Sequence, residues 1–194
     1  MPARPACGNR MLTSFAQRLG MSCYRRMRLP GATCFFTLNL AQPGMGLLTD
    51  HIDALRRAYG AMMAEMPVRT EAIVVLPDHL HAIWTLPAGD HGYGERWRRI
   101  KARFSRELAL QLPRSASKAR KRETGIWQRR FWEHTIRDRA DFQLHMDYCR
   151  GDPVRHGLVA EAADWPFSSI HRDIRQGLIP PDWMPNRLHG RFGE

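Results

Sequence analysis

The stretch Val74-Val75-Leu76-Pro77-Asp78-His79-Leu80-His81-Ala82-Ile83-Trp84-Thr85-Leu86-Pro87 decides how this chain is read. Ala72 and Ile73 lead into an aliphatic, β-branched run that breaks at Pro77-Asp78, and a second apolar run then continues to Pro87. This is the pattern of two strands joined by a tight turn. Successive side chains of a strand alternate between faces, so His79 and His81 leave one face and Leu80 the other. Two imidazoles so placed are a ready pair for a divalent metal, although spacing alone also suits ordinary packed or surface histidines.

Upstream, Thr33-Cys34-Phe35-Phe36-Thr37-Leu38-Asn39-Leu40 follows Pro30-Gly31 and reads as a first, central strand. From Thr49-Asp50, which supply a capping residue, Ile52, Leu55, Tyr59, Met62, Met63 and Met66 recur at helical spacing, and the helix is expected to end at Pro67. The methionines are assigned to the core. Downstream, Trp97, Ile100, Phe104 and Leu108 form an apolar stripe, with Arg96, Arg98, Arg99, Lys101, Arg103 and Arg106 on the remaining face of a basic amphipathic helix.

Residues 113–125 lack apolar periodicity and read as a mobile basic loop. Ile126 to Ile136, with Trp127, Phe131, Trp132 and Thr135, is strand-like. Asp138 then opens a helix carrying Phe142, His145, Met146 and Cys149, which Pro153 is expected to close. The order strand, helix, strand, strand, helix, strand, helix predicts an α+β fold, a ferredoxin-like split βαβ with a mostly antiparallel sheet and helices packed on it. Residues 1–22 are expected to be a poorly ordered leader, with Met21 a second plausible start. Residues 23–160 form the expected single domain. Residues 161–194, with Trp165-Pro166-Phe167-Ser168-Ser169 and Trp183, are expected to pack back on it.

Thirty Lys and Arg against nineteen Asp and Glu leave a formal charge of +11, which points to a polyanionic partner, nucleic acid above all. No run approaches the ~20 apolar residues of a spanning helix, so neither membrane insertion nor secretion is expected. Cys7, Cys23, Cys34 and Cys149 are scattered without a Cys-x-x-Cys pair and read as reduced cytoplasmic thiols. On the last helix, Tyr148 and Asp152 stand four residues apart and share a face, placing a phenol beside a carboxylate. Taken alone they also fit a packed amphipathic residue and a helix-ending turn.

The stretches VVLPDHLHAIWTLP, GIWQRRFWEHTIRD, HMDYCRGDPVRHG and ADWPFSSIHRDIRQGLIPPDW together resemble the REP-associated tyrosine transposases, a branch of the single-tyrosine HUH endonucleases. The resemblance runs from about Tyr24 to about Trp183. It implies a metal-dependent single-stranded DNA endonuclease and strand-transferase acting on REP-like palindromic hairpins, with Tyr148 on the last core helix as nucleophile. It also implies Mg²⁺ or Mn²⁺ held by His79, His81 and Asp152. Family members more often carry an amide where this chain has Asp152, and Gly151 beside it weakens the helix by up to ~1 kcal/mol. Either departure leaves room for a non-catalytic hairpin-binding regulator. A zinc hydrolase using His79 and His81 with water as nucleophile is a third reading.

Glu133 and His134 are expected to support the site from the neighbouring strand. Tyr24, Arg25 and Arg26 are candidate DNA contacts, since arginine binds guanine bidentately and tyrosine stacks on bases. Arg99, Arg103, Arg129 and Arg130 are further candidates for DNA contact. Oligomeric state is left open between monomer and dimer.

Overall fold

The computed structural model describes residues 29–110, 120 and 125–185. The candidate contacts Tyr24, Arg25 and Arg26, the leader, and nearly all of the basic loop lie outside the described residues.

Strand β1 spans Thr33–Asn39, β2 Arg69–Val75, β3 His79–Thr85 and β4 Trp132–Thr135. They form one sheet in the order β2-β3-β1-β4, with every neighbouring pair antiparallel. Helix α1 spans Leu47–Asp50, α2 Ile52–Glu65, α3 Tyr93–Leu108, α4 Arg139–Arg155 and α5 Ile170–Arg175. Strand β3, inserted between β1 and β2, gives the split βαβ arrangement expected from the order of elements.

The sheet's two faces carry different partners. Phe36, Leu38, Leu80, Ala82 and Trp84 face a core with α2 and α3, where Leu55, Met62, Trp97, Ile100 and Phe104 are buried. Trp84 stacks on Trp97 with ring centroids 3.9 Å apart. On the other face Phe35, Ala72, Val74 and Ile83 meet Met146, Tyr148 and Cys149 of α4. Because Thr37 pairs with His81 and Asn39 with His79, both histidines open onto the α4 face.

Four local expectations need correction. The helix expected to start at Thr49-Asp50 is two, broken at His51, and Thr49 Oγ1 donates back to the Gly46 carbonyl (3.0 Å) rather than capping α2. The strand-like run from Ile126 is regular only over Trp132–Thr135, since Gln128, Arg129 and Arg130 are exposed; before it lie a bridge between Trp127 and Leu40 and two backbone bonds to Asn39 and Ala41. Arg96 is buried rather than on the solvated face of α3. Its guanidinium pairs with Asp90 at 2.5 Å, and its Nε donates to the Met66 carbonyl at 3.0 Å.

The fourth concerns α4, which passes through Pro153 to Arg155. Proline deletes one intrahelical donor, and here that deletion falls in the last turn, where Asp152 and Pro153 are both buried against the rest of the fold. The amides of His156 and Leu158 then close the end on the carbonyls of Asp152 and Pro153, at 3.0 and 2.9 Å. The extra residues carry groups that matter to the site.

After α4 the chain returns along the open edge of β2. Val75 N–H donates to Phe167 O, Ser169 N–H to Ile73 O, and the Trp165 indole to Val75 O. This covers an edge that would otherwise present unpaired backbone groups. The buried pair Arg150–Asp173, at 2.8 Å, ties the returning segment to α4.

Candidate active site

Strand alternation and one helix face build the site. His79 and His81 project from β3 toward α4, and Tyr148, Asp152 and Arg155 recur there at spacings of four and three, so they line one stripe of the helix. Asp152 Oδ2 lies 3.2 Å from His81 Nε2 and 3.7 Å from His79 Nε2. The Tyr148 ring meets the His81 ring edge-to-face at 5.1 Å. Thus the sheet and α4 bring together all four residues that the sequence assigns to the chemistry, Tyr148, His79, His81 and Asp152.

Each imidazole is held from behind. Thr37 Oγ1 lies 2.9 Å from His81 Nδ1, and Asp78 Oδ1 lies 2.7 Å from His79 Nδ1, so both rings present Nε2 to Asp152. Asp78 in turn accepts the Gly44 N–H at 2.6 Å. Anchoring one ring nitrogen through an outer partner is how metal-binding histidines are oriented.

The donor set fits a divalent cation. His79 Nε2 and Asp152 Oδ2 are buried and find no hydrogen-bond partner among the described residues, although they point at one another's neighbourhood. Buried polar atoms left in this way are rare, and a cation between them would satisfy both. Burial by itself disfavours the charge on Asp152. The nearby His79 and His81 rings and the Arg155 charge outweigh that effect and hold the carboxyl well below the usual carboxylate range. Burial likewise pushes the His79 imidazole down, but the flanking Asp152 and Asp78 carboxylates overcome it and leave its pKa raised.

Two site residues escaped the sequence reading. His156 offers a ring nitrogen within 4.8 Å of ligand atoms of His79 and Asp152, so it too is placed to hold a cation. The Arg155 guanidinium donates through Nη2 to both Tyr148 Oη and Asp152 Oδ1, with Nε a further 3.0 Å from that carboxylate oxygen. Both follow Pro153, where the helix was expected to stop. The spacing of Tyr148, Asp152 and Arg155 was the available signal.

Glu133 and His134 separate. Adjacent strand residues point to opposite faces, and Glu133 lies buried on the α3 side, where it accepts from Tyr93 Oη at 3.1 Å. His134 is on the α4 face but meets Asp141 Oδ2 at 2.7 Å, in a second His134, Asp141, His145 group. That group is closed by the start of α4: Asp141 also accepts the Arg137 backbone N–H at 3.0 Å, while the Asp141 N–H bonds Asp138. Arg99 and Arg103 sit on α3, across the sheet from the histidines, and both pair with Glu65. Arg129 and Arg130 are exposed just before β4.

No family model matches the chain. It is 44% identical over 174 residues to the REP-associated tyrosine transposase of Escherichia coli K12, covering 90% of this chain and 98% of the relative. A Haemophilus influenzae protein assigned to the same family is 42% identical over 167 residues, 86% of this chain and 95% of its own length. Among solved structures, a REP-associated tyrosine transposase bound to a REP hairpin superposes with a TM-score of 0.80 at 42% identity, covering 90% of this chain and 98% of the other. Identity of this extent over nearly the whole of both chains, joined to the shared fold, means that this chain belongs to the REP-associated tyrosine transposases.

Proposed function

We propose that the protein cleaves and rejoins single-stranded DNA at REP-like palindromic hairpins, with Tyr148 as nucleophile. The observation that carries this reading is the meeting of Tyr148 with His79, His81 and Asp152 between β3 and α4, the phenol ring 5.1 Å from the His81 ring. The hairpin bound by the solved relative, and the +11 charge of this chain, support DNA as its partner. No helix among the described residues is long and apolar enough to cross a membrane.

In this mechanism Tyr148 Oη bonds to the scissile phosphorus as the bond to the 3′ oxygen breaks, leaving a 5′-phosphotyrosine and a free 3′-hydroxyl. Attack by a 3′-hydroxyl on the same phosphorus restores the phenol and rejoins the strand. His79, His81 and Asp152 would hold Mg²⁺ or Mn²⁺, which when bound polarises the phosphate and offsets its developing charge. Thr37 and Asp78 keep both imidazoles facing the reacting group, so little rearrangement accompanies the reaction. Phe35 packs 5.4 Å from the His81 ring and 5.8 Å from the Tyr148 ring, so ligand and nucleophile rest against one aromatic side chain.

The test is incubation with Mg²⁺ or Mn²⁺ and labelled single-stranded hairpins, followed by a denaturing gel. A covalent protein–DNA band that disappears in Tyr148→Phe, with hairpin binding retained, is expected. Cleavage persisting in Tyr148→Phe would instead indicate a water nucleophile. Tight binding without an adduct in wild type would indicate a hairpin-binding regulator.

A further inference from the structure

We infer that Arg155 is a catalytic residue of this site, the cation that holds the nucleophilic oxygen and ties it to the carboxylate of the metal set. The inference rests on the reading of Tyr148 as nucleophile. One guanidinium serves both groups: Nη2 donates to Tyr148 Oη and to Asp152 Oδ1, and Nε reaches the same carboxylate oxygen at 3.0 Å. Its central carbon also lies 4.1 Å from the Tyr148 ring centroid, so the side chain is fixed over the ring as well as at its hydroxyl.

The division of Asp152 makes the arrangement specific. Oδ1 is taken by Arg155 and Oδ2 faces the histidines, so the carboxylate cannot turn without breaking one set of contacts. Tyr148 and the metal ligands are therefore fixed relative to one another through a single planar fork. Arginine suits this role because it offers several donors in fixed geometry and stays charged throughout. It neither gives nor takes the proton. As Tyr148 Oη bonds to phosphorus and the P–O3′ bond breaks, the phenolic proton passes to water and the leaving 3′ oxygen takes one from water. Arg155 stabilises negative charge on Oη as attack begins and again when Oη departs in the reverse reaction. A surface arginine merely docking DNA phosphate would be extended to solvent, whereas the Arg155 side chain is only 15% exposed.

Two measurements test this, with wild type, Arg155→Ala and Arg155→Lys. The first uses protein labelled with ¹³C at the tyrosine ζ carbon, in which Tyr148→Phe identifies one of the four tyrosine signals. Arg155→Ala should move the Tyr148 signal and leave those of Tyr59 and Tyr93 in place. The second is single-turnover adduct formation, in which Arg155→Ala should slow the maximal rate about a hundredfold, as loss of one preorganised donor does. The DNA concentration for half-maximal rate should change by less than about threefold, and Arg155→Lys should recover part of the rate. An unmoved Tyr148 signal overturns the inference, and so does an unchanged rate or a loss confined to DNA affinity. Wild-type protein that forms no adduct overturns the functional reading itself, and that failure is visible without either variant.

Discussion

His81 Nε2 lies 3.2 Å from Asp152 Oδ2, a contact that joins the middle of strand β3 to the last turn of α4 with both side chains fully buried. A histidine and a carboxylate buried at that distance, with the second histidine 3.7 Å away, are positioned for a shared cation. Replacing Asp152 by Ala should therefore weaken Mn²⁺ binding by at least about tenfold, measured by calorimetry without DNA. Asp152→Asn keeps one oxygen for the same purpose and should fall between the two. Equal Mn²⁺ affinity in all three proteins would place the cation elsewhere.

The Thr37 hydroxyl, 2.9 Å from His81 Nδ1, is predicted to tune the same site without touching it. Thr37→Val keeps the size of the side chain and removes its hydroxyl, so the His81 ring loses its anchor. Metal affinity should drop about tenfold or more, as it does when such outer partners are lost. The circular dichroism spectrum should not change. A variant that binds Mn²⁺ as wild type does would show that packing, including that against Phe35 and Tyr148, orients the ring without the hydroxyl.

Acid should weaken the start of α4. Burial raises the pKa of Asp141, but the interactions with His134 and with the backbone and side chain of Arg137 prevail and bring it from 3.8 down to about 2. Because the folded-state value is depressed, the stabilisation is complete above the unfolded value and is lost as pH falls from about 4 through about 2. Asp141→Asn should cost about 1–2 kcal/mol at pH 7 in urea unfolding. The gap from wild type should narrow as the pH is lowered toward 3. A gap that stays constant over that range would mean that the Asp141 charge contributes nothing.

Arg96 offers a test of the other side of the sheet. It is 2% exposed and supplies donors to Asp90 and to the carbonyls of Met66 and Pro67. Arg96→Ala takes a donor from each of these acceptors, although Asp90 keeps the Gly92 N–H, and should destabilise the fold by about 2–3 kcal/mol. Arg96→Met, which refills the volume, should recover part of the loss. An effect under about 0.5 kcal/mol in both variants is what a solvated surface arginine would give.

How much of this was legible beforehand depended on whether the information was local. The histidine pair was readable because alternation along a strand is a property of the backbone, and β3 obeys it from His79 to Thr85. The stripe Trp97, Ile100, Phe104 was readable for the same reason at helical period. Arg96 was misplaced because a charged residue next to an apolar stripe reads as solvated unless its partners are known. Those partners lie on the α2–β2 connection and the loop before α3, which only the packed chain brings near. Glu133 and His134 were grouped as one supporting pair, yet the same alternation that placed the histidines sends these two to opposite faces.

The sequence by itself therefore determined the order of elements, the shared face of His79 and His81, the pairing of Tyr148 with Asp152 on one helix stripe, and the resemblance that assigns their roles. Tertiary structure decided which face of the sheet α4 covers, and so that Asp152 meets the histidines. It also decided that α4 runs through Pro153 far enough to bring Arg155 and His156 into the site. Periodicity states which side chains point the same way along one element. What lies opposite them is set by burying both faces of the sheet at once, a long-range balance that outweighs the local cost of a proline in the last helical turn.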